Sequence, residues 1–266
     1  MGAGIAQVFA SAGHSVLLCD MTEELAQKGR GIIEKNLRRL AEKNKLTAAE
    51  ADAALARVTP GLSDGAGDCA LILEAVAERM DVKRAIFEKM DKLCPAGAVF
   101  ASNTSSLSLT EMSLGLSRPV VGMHFFNPAP VMALVEVISG LTTPKDLADR
   151  VYELARSLGK EPVRVREAPG FVVNRVLIPM INEAVFVLSE GVADADSIDR
   201  AMKLGANHPI GPLALADLIG LDVVLSICET LQRETGDDKY RPCPLLRQMV
   251  RAGKKGRKTG EGFFTY

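Results

Sequence analysis

The search for a general base starts with three histidines, and only one of them ends an apolar run. His14 lies in the polar turn Gly13-His14-Ser15, and His208 precedes Pro209 in a loop rich in glycine and proline. His124 closes an apolar strand-like segment and is followed by Phe125-Phe126-Asn127-Pro128. In an open α/β sheet, ligands bind beyond the carboxyl ends of the strands, which is where that reading puts His124. An imidazole there suits a reaction in which a secondary alcohol loses hydride and its hydroxyl proton must be taken up near neutral pH. Glu136, inside Leu134-Val135-Glu136-Val137-Ile138, is the candidate partner for the other ring nitrogen, because an unpaired carboxylate in an apolar strand is costly. The plainer alternative is a hydrogen-bonded core histidine, with Glu136 turned to solvent by strand alternation.

A second polar cluster, Ser102-Asn103-Thr104-Ser105-Ser106, also follows an apolar strand-like run. Its hydroxyls could polarise a carbonyl or hold an amide, and one of them is expected to cap a helix starting near Leu107. The opening Met1-Gly2-Ala3-Gly4 fits a phosphate-binding GxGxxG only if Gly2 is its last glycine. That frame puts Asp20 at the end of the next strand, placed for ribose hydroxyls. No arginine follows Asp20 within nine positions, which favours NAD over NADP, although Lys28 and Arg30 are within reach. The same frame puts the first strand and two glycines before residue 1, so the expected nucleotide domain is N-terminally incomplete.

These residues need a scaffold that alternates strands and helices. Met1 to Ala12 reads as a helix and Ser15 to Cys19 as a strand. Thr22 to Lys45 and Thr47 to Arg57 read as helices, each with a threonine N-cap. Strands are expected at Ala70–Val76, Ala98–Ser102, Pro119–Phe125, Leu134–Ile138 and Pro162–Val165, with a helix over Asp81–Leu93. Successive β-α-β units imply a doubly wound, largely parallel sheet. After Glu167-Ala168-Pro169-Gly170 the pattern becomes all-helical: Phe171–Ser189, Asp194–Leu204, Gly211–Glu234 and Pro244–Ala252. The expected domains are therefore a Rossmann-like 1–166 and a helical 167–266. The helix from Phe171 is apolar on nearly every face, which asks for cover beyond one small domain.

Composition narrows the function classes. The 266 residues are 47% hydrophobic and 24% charged, the balance of a soluble globular protein. A net charge of −1 gives no global attraction to nucleic acid or anionic membrane, and no stretch reaches the length of a membrane span. The basic run Lys254, Lys255, Arg257 and Lys258 is a local exception. Five scattered cysteines without a CxxC pair argue against a disulfide framework and a zinc site, and fit a reducing cytoplasm.

Taken in order, several motifs carry a resemblance. Ser102 to Ser106, His124-Phe125-Phe126-Asn127-Pro128, Glu136 and Pro169-Gly170-Phe171-Val172-Val173-Asn174-Arg175 resemble the signature set of the 3-hydroxyacyl-CoA dehydrogenases. So do Gly205 to Pro209, Gly211-Pro212, Asp217 to Asp222 and Gly256-Arg257-Lys258-Thr259-Gly260. The likeness spans the chain and is nearest to the bacterial 3-hydroxybutyryl-CoA branch. It implies reversible NAD-dependent oxidation of a 3-hydroxyacyl-CoA thioester, with His124 as acid/base, Glu136 orienting it, and Ser105 and Asn174 bonding the substrate. It further implies that Asp20 binds the adenine ribose of NAD, that Glu78 and Lys83 lie near the nicotinamide half, and that Ser105 and Asn127 support that site, with Gly2 the cofactor-binding glycine of the phosphate motif. No metal is implied, and the helical domain is expected to form a homodimer. Ala133 departs from the family, which has a lysine there. The incomplete glycine motif leaves a second possibility, a catalytically silent member with impaired NAD binding that acts as a binding or structural protein.

Overall fold

The computed structural model describes residues 1–266, which divide into two compact units, Met1–Glu167 and Ala168–Tyr266. The first is α/β. It opens with α1 (Gly2–Ser11), β1 (Val16–Cys19), α2 (Glu23–Glu42), α3 (Ala48–Ala56) and β2 (Val58–Gly61). There follow β3 (Leu71–Glu74), α4 (Met80–Leu93), β4 (Val99–Ser102), α5 (Leu109–Met112), β5 (Val120–Phe125), β6 (Leu134–Ser139), α6 (Lys145–Ser157) and β7 (Glu161–Arg166).

The local signals act as their chemistry requires. Thr22 accepts a hydrogen bond from the Leu25 amide to start α2. At α3, Thr47 and Glu50 form a reciprocal capping box. Two elements escape the pattern reading. The β2 strand, Val58-Thr59-Pro60-Gly61, carries the two residues that usually argue against a strand, and it is tolerated as the outer partner of β1. The α6 helix, amphipathic and polar on one side, was likewise not among the expected elements. The helix expected near Leu107 begins at Leu109, and its cap is Ser108, which accepts from the Glu111 amide. Within the 102–106 cluster, the Thr104 hydroxyl still accepts from the Leu107 amide at 2.9 Å, so it closes the turn that precedes this helix.

The strands form two ladders rather than one sheet: β1 pairs in parallel with β2, and β3-β4-β5-β6-β7 form the second. Within the second ladder all neighbours are parallel except β5 and β6, which run antiparallel. Helix α1 serves both ladders. Its Ile5 and Phe9 join the core under β4–β6 and α6, while Ala6 and Ala10 join the core of α2, α3 and β2. Along β5 and β6, Val121, Met123, Phe125, Val135 and Val137 enter the α1/α6 core. By alternation, Gly122, His124, Glu136 and Ile138 face the opposite side, toward α5. Gly122 is needed there, because a Cβ would lie 2.7 Å from that of Ile138 and 2.9 Å from Leu109 Cδ1. Strands covered on both faces explain the near-continuous apolar runs.

The second unit is helical: α7 (Val173–Ser189), α8 (Ala195–Gly205), α9 (Pro212–Ile219), α10 (Leu221–Thr235) and α11 (Pro244–Arg251). The single helix expected over 211–234 is two helices. Gly220, at φ 104°, breaks it, and the carbonyl-capped end of α9 turns into α10 within one residue. Buried Asp199 accepts from the amides of Leu213 and Ala214 at the start of α9. Buried Asp217 accepts from the amides of Phe263 and Phe264 and the Tyr266 hydroxyl, fixing the C-terminal segment. No helix is long and apolar enough to cross a membrane.

Candidate active site

The antiparallel pairing of β5 with β6 sets His124 directly opposite Glu136. Cross-strand neighbours on one face lie close enough for side chains to meet, and His124 Nδ1 lies 2.7 Å from Glu136 Oε2. Both are buried, at 6% and 1% exposure, so the carboxylate and imidazole interact across little solvent. The Phe126 ring sits 4.6 Å from the imidazole. The next connection begins with a cis Asn127–Pro128 peptide, and Asn127 is exposed.

At the adjacent strand ends a polar network fixes the serine-rich loop. Asn103 donates its amide to the Glu74 carbonyl, and its side-chain oxygen accepts from the Phe125 amide at 2.7 Å, tying β4 to the end of β5 beside His124. Glu78 Oε1 accepts from the Thr104 hydroxyl (2.7 Å), the Ser105 amide (2.8 Å) and hydroxyl (3.1 Å), and the Ser106 amide (3.0 Å) and hydroxyl (3.2 Å). Beneath it, Lys83 is buried between two carboxylates, with Glu74 at 2.8 and 3.0 Å and Glu78 at 3.2 Å. Glu74 also accepts from the Ser102 hydroxyl (2.7 Å) and the Val76 amide (2.6 Å).

Lys83 therefore stands behind Glu78, at 1% exposure, rather than as an exposed cation on the site's surface. Glu74 has no role in the sequence reading, and Ser102 and Asn103 enter it only as members of the polar cluster. Glu74 ends the apolar run Leu71-Ile72-Leu73, the same signal that drew attention to Glu136.

Burial acts to raise the Glu78 pKa, but the Lys83 ammonium and the bonds from Thr104 and Ser105 outweigh it and hold the carboxyl below the usual glutamate range. A lowered folded-state pKa contributes stability above the unfolded value, about 4.3, that is lost as pH falls through the folded value. A Glu78→Gln variant is therefore expected to melt below the parent at pH 6, with the gap closing below about pH 4. A gap of constant size from pH 6 to pH 3 in thermal melts would remove Glu78's charge from the account of this loop.

The residues expected from the sequence to face a nucleotide lie at the other ladder. Asp20 follows β1, is exposed, and accepts from the Met21 amide. Arg30, one of the cations within reach by sequence, instead donates to the Val58 carbonyl, and Lys28 remains exposed on α2. Gly2 lies in the first turn of α1 with no atom within 4 Å of where a Cβ would stand. An exposed carboxylate at a strand end and an open helix start are compatible with a dinucleotide. Asn174 belongs to the second unit, in the first turn of α7, after Gly170 and Phe171 at positive φ.

Comparison with known proteins agrees over both units. Residues 1–168 match the family model for the 3-hydroxyacyl-CoA dehydrogenase NAD binding domain, and residues 170–266 match that for its C-terminal domain. The chain is 52% identical to a 3-hydroxybutyryl-CoA dehydrogenase of Clostridioides difficile, covering all of this chain and 96% of that protein. It is 50% identical to a probable 3-hydroxybutyryl-CoA dehydrogenase of Bacillus subtilis, covering all of this chain and 94% of the relative. The crystal structure of (S)-3-hydroxybutyryl-CoA dehydrogenase PaaH1 from Ralstonia eutropha superposes with a TM-score of 0.97 at 48% identity, over all of this chain and 95% of that one. With both halves matched in order and close relatives aligned end to end, the chain belongs to the 3-hydroxyacyl-CoA dehydrogenase family, whose first domain binds NAD.

Proposed function

We propose that this protein reversibly oxidises an (S)-3-hydroxyacyl-CoA thioester, 3-hydroxybutyryl-CoA foremost, to the 3-oxoacyl-CoA. The observation that carries the proposal is the buried His124–Glu136 pair at the carboxyl end of β5, tied through Asn103 to the serine-rich loop. The names of the relatives support the substrate class. NAD, when bound, supplies the hydride acceptor. Asp20 is the residue for its ribose and Gly2 for its phosphates, with Glu78, Ser105 and Asn127 on the nicotinamide side. Lys83 acts there by holding Glu78.

His124 takes the 3-hydroxyl proton in oxidation and returns it in reduction. Glu136 stabilises the imidazolium and fixes which ring nitrogen faces the substrate. Ser105 and Asn174 hydrogen-bond the substrate. The sequence fits work in the cytoplasm, in fatty acid or butanoate metabolism. We infer a homodimer through the helical unit (167–266), where Val176, Val192 and Leu218 expose apolar side chains of the kind a second copy buries.

Mixing the protein with NADH and acetoacetyl-CoA is expected to oxidise NADH, whereas free acetoacetate is expected to be inert. Turnover of the free acid but not the thioester would sink the substrate assignment. Calorimetry with NADH alone separates an enzyme from a silent family member: micromolar binding is expected, and no detectable binding would favour the silent reading.

A further inference from the structure

Lys160 is a buried cation that the proposed chemistry does not use. It follows Gly159 in the turn between α6 and β7 and is 8% exposed. Its ammonium reaches across to the connection between β5 and β6, donating to the Ala129 carbonyl at 2.7 Å and the Met132 carbonyl at 2.8 Å. Next to it, the Glu161 amide donates to the Ala133 carbonyl at 2.9 Å, so the backbone and side chain of this turn grip the same connection. That connection starts at the cis Asn127–Pro128 bond, three residues after His124, and ends at Ala133, three residues before Glu136.

The connection is also anchored from inside. The amides of Val131 and Met132 both donate to the Pro128 carbonyl, at 2.9 and 3.0 Å. Ala129 is buried, and Ala129 and Pro130 pack on the first turn of α1, where a Cβ at Gly4 would stand 3.3 Å from Pro130 Cδ. The last bends of this loop nonetheless leave Val131 75% exposed and Met132 41% exposed. A loop with one packed end and one exposed end needs a tether at the exposed end. Burying an ammonium against carbonyl dipoles is a costly way to provide one, since an apolar side chain would fill the space without desolvating a charge. Burial accordingly lowers the Lys160 pKa.

We propose that Lys160 is a positioning residue for the reaction, holding the 128–133 connection so that Asn127 and His124 keep their places at the end of β5. The inference rests on the proposed function only for the reaction it serves; the tether itself is a property of the fold. A displacement of about 1 Å in a positioned group can cost on the order of 10²-fold in rate.

The test compares Lys160→Met with Lys160→Arg in the full-length protein, using acetoacetyl-CoA and NADH. In Lys160→Met, kcat is expected to fall by about 10- to 100-fold. The KM for acetoacetyl-CoA is expected to stay within about 3-fold of the parent, and Lys160→Arg, which keeps the donors and charge, to recover most of kcat. Unchanged kcat in Lys160→Met would overturn the proposal, and so would a fall in activity that only matches the fall in folded protein. If Lys160→Met does not fold, Lys160→Gln is read by the same criteria. If the parent itself does not turn over acetoacetyl-CoA, the functional reading has failed and the tether is read by amide exchange instead. Exchange at Val131 and Met132 is expected to quicken by about 10-fold or more in Lys160→Met, and unaltered exchange there would overturn the inference on its own.

Discussion

Replacing His124 by glutamine is expected to lower turnover of acetoacetyl-CoA by about 10²- to 10⁴-fold while NADH binding persists. Glutamine suits the test because its amide N–H can still donate to Glu136, whose buried carboxylate would otherwise lose a partner 2.7 Å away. The fold around β5 and β6 is thus kept while the group able to exchange a proton near neutral pH is removed. In the direction of reduction, the substrate's new hydroxyl must take its proton from somewhere, and without an imidazolium only solvent remains. Steady-state kinetics in both directions, with calorimetric titration of NADH, make the measurement. Turnover within a few-fold of the parent would show that another group is the base. Loss of NADH binding together with turnover would show that His124 holds the site together rather than serving the chemistry.

How far the sequence could be read depends on how locally each feature is encoded. Thr22 and the Thr47–Glu50 capping box mark helix starts within four residues, and those starts fall where the pattern puts them. The β2 strand and the break at Gly220 were missed because tertiary context overrides the local signal. Pro60 is tolerated on a strand with one partner, and a positive φ at Gly220 lies hidden inside a pattern that is apolar on both sides. The approach of Glu136 to His124 was legible for a different reason: a carboxylate in an apolar strand demands a partner, and of the chain's three histidines only His124 ends an apolar run. The same reasoning applied to Glu74 would have asked for a partner, but the answer, Ser102 and Lys83, comes from a neighbouring strand and the following helix. Lys160 gave no signal at all. A lysine after a glycine turn reads as surface, and only the fold shows it turned inward.

The largest stability effect is expected at Lys83. Its ammonium lies between Glu74, with a side chain wholly buried, and Glu78, which is partly exposed. Lys83→Met fills similar volume but removes the cation, leaving Glu74 with only the Ser102 hydroxyl and the Val76 amide. Removing one partner of a buried pair strands the other charge, a change that costs about 3–5 kcal/mol. The parent and the variant are to be compared by urea unfolding at neutral pH, where the midpoint falls if the native state alone is affected. Adding Glu74→Gln to Lys83→Met removes the stranded charge and keeps an acceptor for Ser102, so the double variant is expected to recover much of the loss. The two carboxylates then separate in function. Glu74 answers to stability, whereas Glu78 organises Ser105 and Ser106, so the double variant is expected to regain stability without regaining full turnover. A loss below about 1 kcal/mol in Lys83→Met, within the range of an exposed ion pair, would mean that the lysine is not what holds Glu74 in the core.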